Sequence, residues 1–171
     1  LHYEKSQRQT QEGDLLLMDV GAEYNYYAAD ITRTVPVNGQ FTEEQKLIYQ
    51  IVLDAQNAAL LLVKPGSSMS AIHRKAVDVI AEGLFRLGLI NDISGNQYRA
   101  FFPHGVGHFL GLDVHDVGSG KSLEPGMVLT VEPGIYVRED SKDRLVAAGV
   151  SQSELKDLNK ALAKFMHIGV R

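Results

Sequence analysis

Two aspartates in strand-forming sequence constrain this chain more than any other feature. Asp19 closes the apolar run Leu15-Leu16-Leu17-Met18, and Asp30 lies in Ala28-Ala29-Asp30-Ile31-Thr32. Leu15 to Val20 reads as a buried strand and the aromatic, β-branched run Tyr24 to Thr34 as a second one, which sets the two carboxylates on neighbouring strands. Taken singly, an Asp ending an apolar run is a turn or cap residue. Within a strand it is disfavoured and calls for a partner charge or a metal. Two carboxylates gathered in a core raise each other's pKa and tend to neutralise, a conflict that a divalent cation removes.

Further ligand candidates come from FFPHGVGHFLGLDVHDVG, Phe101 to Gly118, which holds His104, His108 and His115, three of the six histidines. Glycine carries an unfolded-state entropy cost, so its density here points to backbone that must approach something closely. Gly107 precedes His108, and Pro133-Gly134 follow Glu132, so both residues sit beside backbone that can bend toward a site. Carboxylate-dominated ligation with one imidazole suits manganese, cobalt, iron or zinc rather than a soft, thiophilic metal. Other site classes lack their signatures: there is no G-x-S-x-G elbow, no HEXXH and no Walker loop, and Gly105-x-Gly107 lacks the third glycine of a dinucleotide fingerprint.

The remaining sequence reads as one domain. With 171 residues, 44% of them apolar, the chain can bury a real core. A net charge of -4 without a Lys/Arg cluster gives no reason to expect nucleic acid or an anionic membrane as partner. The longest apolar run, Ala58 to Val63, is far short of the roughly 20 residues of a bilayer crossing. Absence of cysteine fits a reducing compartment and hence the cytoplasm. Thr42-Glu43-Glu44-Gln45 is a capping box that opens a helix running to Lys64-Pro65-Gly66; a second helix is predicted over about Met69 to Leu87, stopped by Gly88. Strands are predicted at Met127 to Val131 and Ile135 to Val137, then a capped helix from Ser151 to about Phe165, and half a strand at Ile168 to Arg171. This order predicts an α+β fold with antiparallel pairing.

Three blocks, LLLMDVGAEYNYYAADITRT, PHGVGHFLGLDVHDVG and LEPGMVLTVEPGIY, resemble in this order the metal-dependent Xaa-Pro peptidases of the creatinase and methionine-aminopeptidase superfamily. Within it, the chain is most similar to Xaa-Pro aminopeptidase and prolidase. The resemblance implies the pita-bread fold and two divalent ions, manganese first, with cobalt, zinc or iron as alternatives. It implies that Asp19 chelates one ion, that Asp30 bridges both, and that His108 and Glu132 hold the other. Glu132 is also implied as proton acceptor. His104 and His115 would line the substrate cleft and move protons, and His2 matches another cleft histidine. His73 and His167 match no family site; His73 reads as a structural residue in mid-helix.

The implied reaction is hydrolysis of the bond preceding a proline at the second position of a peptide. Prolidase action on dipeptides is the alternative, and a non-catalytic peptide-binding homologue a third reading that four retained ligands disfavour. One departure stands out: the family's fifth ligand is a Glu two residues beyond the Arg of Gly-x-Arg-x-Glu, and the sequence stops at Gly169-Val170-Arg171. The expectation is a catalytic-domain fragment short at both ends, without the amino-terminal domain, with weak metal binding and little activity. The full-length protein is expected to be a homo-oligomer.

Overall fold

The computed structural model describes residues 7–118, 120 and 122–171. Strand β1 (Leu15–Val20) pairs antiparallel with β4 (Ile31–Pro36), Leu17 opposite Thr34 and Asp19 opposite Thr32. Between them the expected single strand Tyr24–Thr34 is broken. Asn25 and Tyr26 adopt φ of 50° and 68° and fold β2 (Glu23–Tyr24) back on β3 (Tyr27–Ala28), the two-residue turn that matches strand twist in hairpins. Asp30 therefore sits one residue ahead of β4 rather than inside a strand. Nor is β1 buried as expected: Leu16, Met18 and Val20 are 40%, 36% and 62% exposed.

The core lies to one side of this sheet. Helix α1 (Glu43–Leu60) starts on the Thr42 capping box, with the Gln45 N–H on Thr42 Oγ1 at 3.2 Å and the Thr42 N–H on Gln45 Oε1 at 2.9 Å. Its Ile48, Val52 and Ala55 join Ile72, Ala76, Ile80 and Leu84 of α2 (Met69–Arg86) in one apolar cluster. Each such Ile or Leu contributes about 1.5–3 kcal/mol on burial. Gly88, at φ 70°, ends α2 as the sequence predicts, with its N–H on the Phe85 carbonyl at 2.9 Å. A short 3-10 turn at Gln97–Ala100 leads to Phe101 and Phe102, both fully buried in the cluster.

Segments 106–110 and 128–132 then run antiparallel. The Glu132 N–H reaches the Val106 carbonyl at 2.7 Å, the Thr130 N–H the His108 carbonyl at 2.8 Å, and the Leu110 N–H the Val128 carbonyl at 3.1 Å. The regular strand predicted at Met127 to Val131 is reduced here to an isolated bridge between Phe109 and Leu129, because each facing pair makes only one of the two backbone hydrogen bonds of a regular ladder. β5 (Ile135–Tyr136) pairs antiparallel with β6 (Gly169–Val170), and the Tyr136 N–H ties it to the Phe101 carbonyl at 2.9 Å. Helix α3 (Ser141–Ala147), two turns that the sequence pattern does not announce, precedes α4 (Gln152–Phe165). As predicted, α4 opens on a Ser151/Glu154 capping box, and its Leu158 and Leu162 close the core. Every strand pair among the described residues is antiparallel, and no helix there is long and apolar enough to cross a membrane.

Candidate metal centre

The β1–β4 register puts Asp19 beside Thr32, whose hydroxyl donates to Asp19 Oδ1 at 3.2 Å. Segments 106–110 and 128–132 bring up His108 and Glu132 from the other side. Together these elements enclose a cavity of about 250 Å³ whose walls include Asp19, Asp30, His108, His115, Glu132 and Arg171. The four residues that the sequence singles out as ligands thus share one hollow. A larger hollow of about 530 Å³ around Arg138 and His167 does not bring three ligand atoms together.

Asp30 Oδ2, His108 Nε2 and Glu132 Oε1 all lie within 4.8 Å of one another. The imidazole nitrogen stands 3.2 Å from the Asp30 oxygen and 3.1 Å from the Glu132 oxygen. Its tautomer follows from a second contact: His108 Nδ1 is 2.9 Å from the Phe109 carbonyl oxygen, which can only accept, so Nδ1 carries the hydrogen. In the neutral ring Nε2 then presents a lone pair to two carboxylate oxygens. Three electron-pair donors converge with no hydrogen between them, and either a proton on Nε2 or a cation must resolve that. A ring whose other nitrogen is fixed on a backbone carbonyl is the usual posture of a metal-binding histidine. The donor set, two hard oxygens and one imidazole, fits a divalent first-row cation.

Arg171 supplies positive charge beside this cluster. Its Nη2 donates to Asp19 Oδ2 and, at 2.9 Å, to Thr32 Oγ1, while Nη1 lies 3.2 Å from Glu132 Oε2. The Arg171 side chain is only 8% exposed. Its backbone is held to β4 by Thr34, whose Oγ1 lies 3.2 Å from both the Arg171 nitrogen and the Arg171 carbonyl oxygen. The two aspartates respond in opposite directions. Burial acts to raise Asp19, but the hydrogen bond and charge of Arg171 outweigh it and hold Asp19 below the usual carboxylate range. Asp30 is pushed up, first by burial and then by the charges of Asp19 and Glu132, with His108 offsetting only part. The contact between the two carboxyls adds to both effects, lowering Asp19 and raising Asp30.

The other predicted residues fall in different places. His115 is exposed at the cavity wall, its ring 4.2 Å from that of His108 and roughly perpendicular to it. His104 is not among the residues of the cavity wall; its ring is edge-on to Phe102 at 4.9 Å. Its Nδ1–H donates to the Gly105 carbonyl at 2.8 Å, so Nε2 accepts from the Tyr136 hydroxyl at 3.0 Å. Burial lowers the His104 pKa and pushes the Tyr136 phenol up to about 12, so both partners are held neutral. His2 lies outside the described residues. Three residues at the site have no role that the sequence pattern suggests: Arg171, Thr130 and Tyr136. Thr130 carried a usable signal, since period-two alternation places it on the same face as Glu132. Arg171 carried only its place in the Gly-x-Arg motif, which does not reveal a contact with Asp19 across 152 residues.

An α+β scaffold that presents convergent carboxylates and a tautomer-fixed imidazole defines a candidate centre for divalent-metal chemistry. Residues 1–168 match the pattern of Metallopeptidase family M24, and the chain belongs to that family. It is 47% identical over 152 residues to Xaa-Pro aminopeptidase of Escherichia coli (strain K12), an alignment covering 83% of this chain and 34% of that protein. Xaa-Pro aminopeptidase 3 of Homo sapiens is 43% identical over 150 residues, covering 84% of this chain and 30% of the relative. Among solved structures, Pseudomonas aeruginosa aminopeptidase PepP superposes with a TM-score of 0.83 at 42% identity, covering 100% of this chain and 37% of that one. A variant of Escherichia coli aminopeptidase P in complex with substrate gives the same values. The chain thus has the fold of these aminopeptidases and spans about a third of the length of its relatives.

Proposed function

We propose that this chain carries the metal centre of a Xaa-Pro aminopeptidase, which removes the residue preceding a proline at the second position of a peptide. The observation that carries the reading is the convergence of Asp30 Oδ2, Glu132 Oε1 and His108 Nε2 within 4.8 Å of one another, with the other ring nitrogen of His108 held on the Phe109 carbonyl. In this reading Asp30, His108 and Glu132 hold one divalent ion, and Asp19 and Asp30 hold a second, manganese being the first candidate. Such a pair, when bound, polarises the scissile carbonyl and makes water acidic enough to attack near neutral pH.

The chain's own groups do the rest. Glu132 takes up the proton of the attacking water. The His115 imidazole, exposed beside His108, delivers a proton to the proline nitrogen as it leaves. That step needs help because the nitrogen of an Xaa-Pro bond bears no N–H and departs as an amine only once protonated. His104, locked between the Gly105 carbonyl and the Tyr136 hydroxyl, serves as a fixed neutral group that holds the Tyr136 phenol in place.

The names of the relatives support aminopeptidase over prolidase action. The test is hydrolysis by the full-length protein of an Xaa-Pro-Pro tripeptide, a Gly-Pro dipeptide and an Xaa-Ala-Pro control, each with and without Mn2+. The reading expects metal-dependent release of the first residue from the tripeptide alone, abolished by Asp30→Ala. Equal turnover of the alanine control, or full activity of the Asp30 variant, would refute it.

A further inference from the structure

We infer that Thr130 is a positioning residue of the metal centre, its side-chain hydroxyl joining the backbone under one ligand to the carboxylate of another. The inference rests on the metal reading above. The residue pairs Val106/Glu132, His108/Thr130 and Leu110/Val128 follow one antiparallel register, each with a hydrogen bond from one partner to the other. In a regular ladder such a pair exchanges two backbone hydrogen bonds. Each of these three pairs makes only one backbone to backbone, which at His108/Thr130 is the Thr130 N–H on the His108 carbonyl at 2.8 Å. The His108 N–H turns instead to Thr130 Oγ1, at 3.0 Å.

This substitution of hydroxyl for carbonyl commits the hydroxyl hydrogen. One Oγ1 lone pair is taken by the His108 N–H, and the hydrogen is directed to Glu132 Oε1 at 2.9 Å, the alternative acceptor, the His108 carbonyl, lying at 3.5 Å. Polarisation therefore runs in one direction, from the His108 amide through the hydroxyl to the carboxylate, and each bond strengthens the next. Glu132 Oε1 is the same oxygen that faces His108 Nε2. Thr130 thus fixes which Glu132 oxygen turns inward, and it ties that carboxylate to the residue bearing the imidazole ligand. Gly107 makes the approach possible, since a Cβ there would overlap the Thr130 carbonyl oxygen and crowd Oγ1.

The experiment compares Thr130→Val, which keeps the shape without the hydroxyl, with Thr130→Ser, which keeps the hydroxyl, in the full-length protein. Mn2+ affinity and stoichiometry are read by calorimetry, and metal-free unfolding by circular dichroism. Loss of a group that orients a ligand typically weakens metal affinity 10- to 100-fold. The expected result is at least a tenfold loss for Thr130→Val, recovery to within about threefold for Thr130→Ser, and metal-free unfolding of both near that of the unsubstituted protein. Equal affinity of all three overturns the inference, and so does equal loss in Ser and Val, which would assign the effect to packing. If Thr130→Val does not fold, Thr130→Ala against Thr130→Ser makes the same comparison: a loss in Ala that Ser recovers supports the inference, and equal affinity or equal loss overturns it. If the unsubstituted protein binds no Mn2+, the metal reading falls and this inference with it; if it binds and Thr130→Val binds equally, only this inference falls.

Discussion

Replacing Asp30 by Asn should make the metal-free protein more stable while removing its ability to be stabilised by metal. The Asp30 side chain is 12% exposed, and its Oδ2 lies within 4.8 Å of Glu132 Oε1. Two like charges at that separation repel by about 3 kcal/mol at an effective dielectric constant of 20. Arg171, already against Glu132 Oε2 at 3.2 Å, offsets part of this, which leaves a gain of about 1–2 kcal/mol for the neutral, isosteric amide. The pH dependence has a fixed sign. Asp30 titrates above its ordinary value of 3.8 in the native state, so the stability linked to its proton is present below that value and is lost as pH rises through the elevated native pKa. The two proteins should therefore unfold alike near pH 3.8, with the variant ahead at neutral pH. With Mn2+ at a hundredfold excess over its dissociation constant the unsubstituted protein should gain about 2.7 kcal/mol and the variant almost nothing. Urea unfolding with chelator and with Mn2+, across pH, measures all of this. A metal-free Asp30→Asn protein less stable than the parent at neutral pH would refute the reasoning, as would full stabilisation of the variant by metal.

Three further outcomes follow from the geometry. His73→Leu should stabilise the metal-free protein by about 1 kcal/mol, because it removes a buried polar atom lacking a hydrogen bond; His73 Nδ1 is such an atom. Burial, then the charges of Arg99, His104 and Arg74, hold His73 below its ordinary 6.5, so its contribution is lost as pH falls from 6.5 through the lowered native value, and urea melts of the Leu variant should decline less over that window. Gly107→Ala should cost about 2 kcal/mol through overlap with the Thr130 carbonyl and should weaken Mn2+ binding in calorimetry. Gly105→Ala is its control, since a Cβ there meets only the Gly107 carbonyl oxygen, at 3.9 Å. Thr42→Ala should lower stability by about 1 kcal/mol in thermal melts, by removing the α1 capping box, with no effect on metal affinity.

Much of the fold was legible where the signal is local. Thr42 and Ser151 announce their helices because a capping box is written within four residues, and Gly88 marks the end of α2 because the chain there needs positive φ. The pattern misleads where two local tendencies compete. Tyr24 to Thr34 has the composition of one strand, yet Asn25-Tyr26 takes the left-handed turn and splits it. The same break moves Asp30 out of the strand interior, where its presence had been hardest to explain. At the centre, residue types and spacing pointed to Asp19, Asp30, His108 and Glu132, which the structure gathers in one cavity. They could not point to Arg171, whose role at the site depends on β6 lying beside β1 and β4.

The position of this cavity relative to the core explains how the fold tolerates it. No residue of β1, β2 or β3 is a buried member of the apolar cluster, which draws on α1, α2, α3, α4, β5, β6 and the segments around Phe101 and Phe109, and β1 reaches it only through the partly buried Leu15. β4 contributes to the interior only Thr34, and that residue spends its hydroxyl on Arg171. The strands that carry or flank the aspartates are thus held by ladder hydrogen bonds and polar side-chain contacts more than by apolar burial. Repulsion among Asp19, Asp30 and Glu132 then acts on a pair of strands at the margin, where a small shift relieves it, and not on close-packed helices that would transmit it. His108 and Glu132 lie on segments anchored from behind by Val106 and Phe109, so two of the four groups are rigid and two are set on the yielding side. A cation that draws all four together would fasten the marginal strands to the core, coupling metal binding to the stability of the part of the fold with the least apolar support.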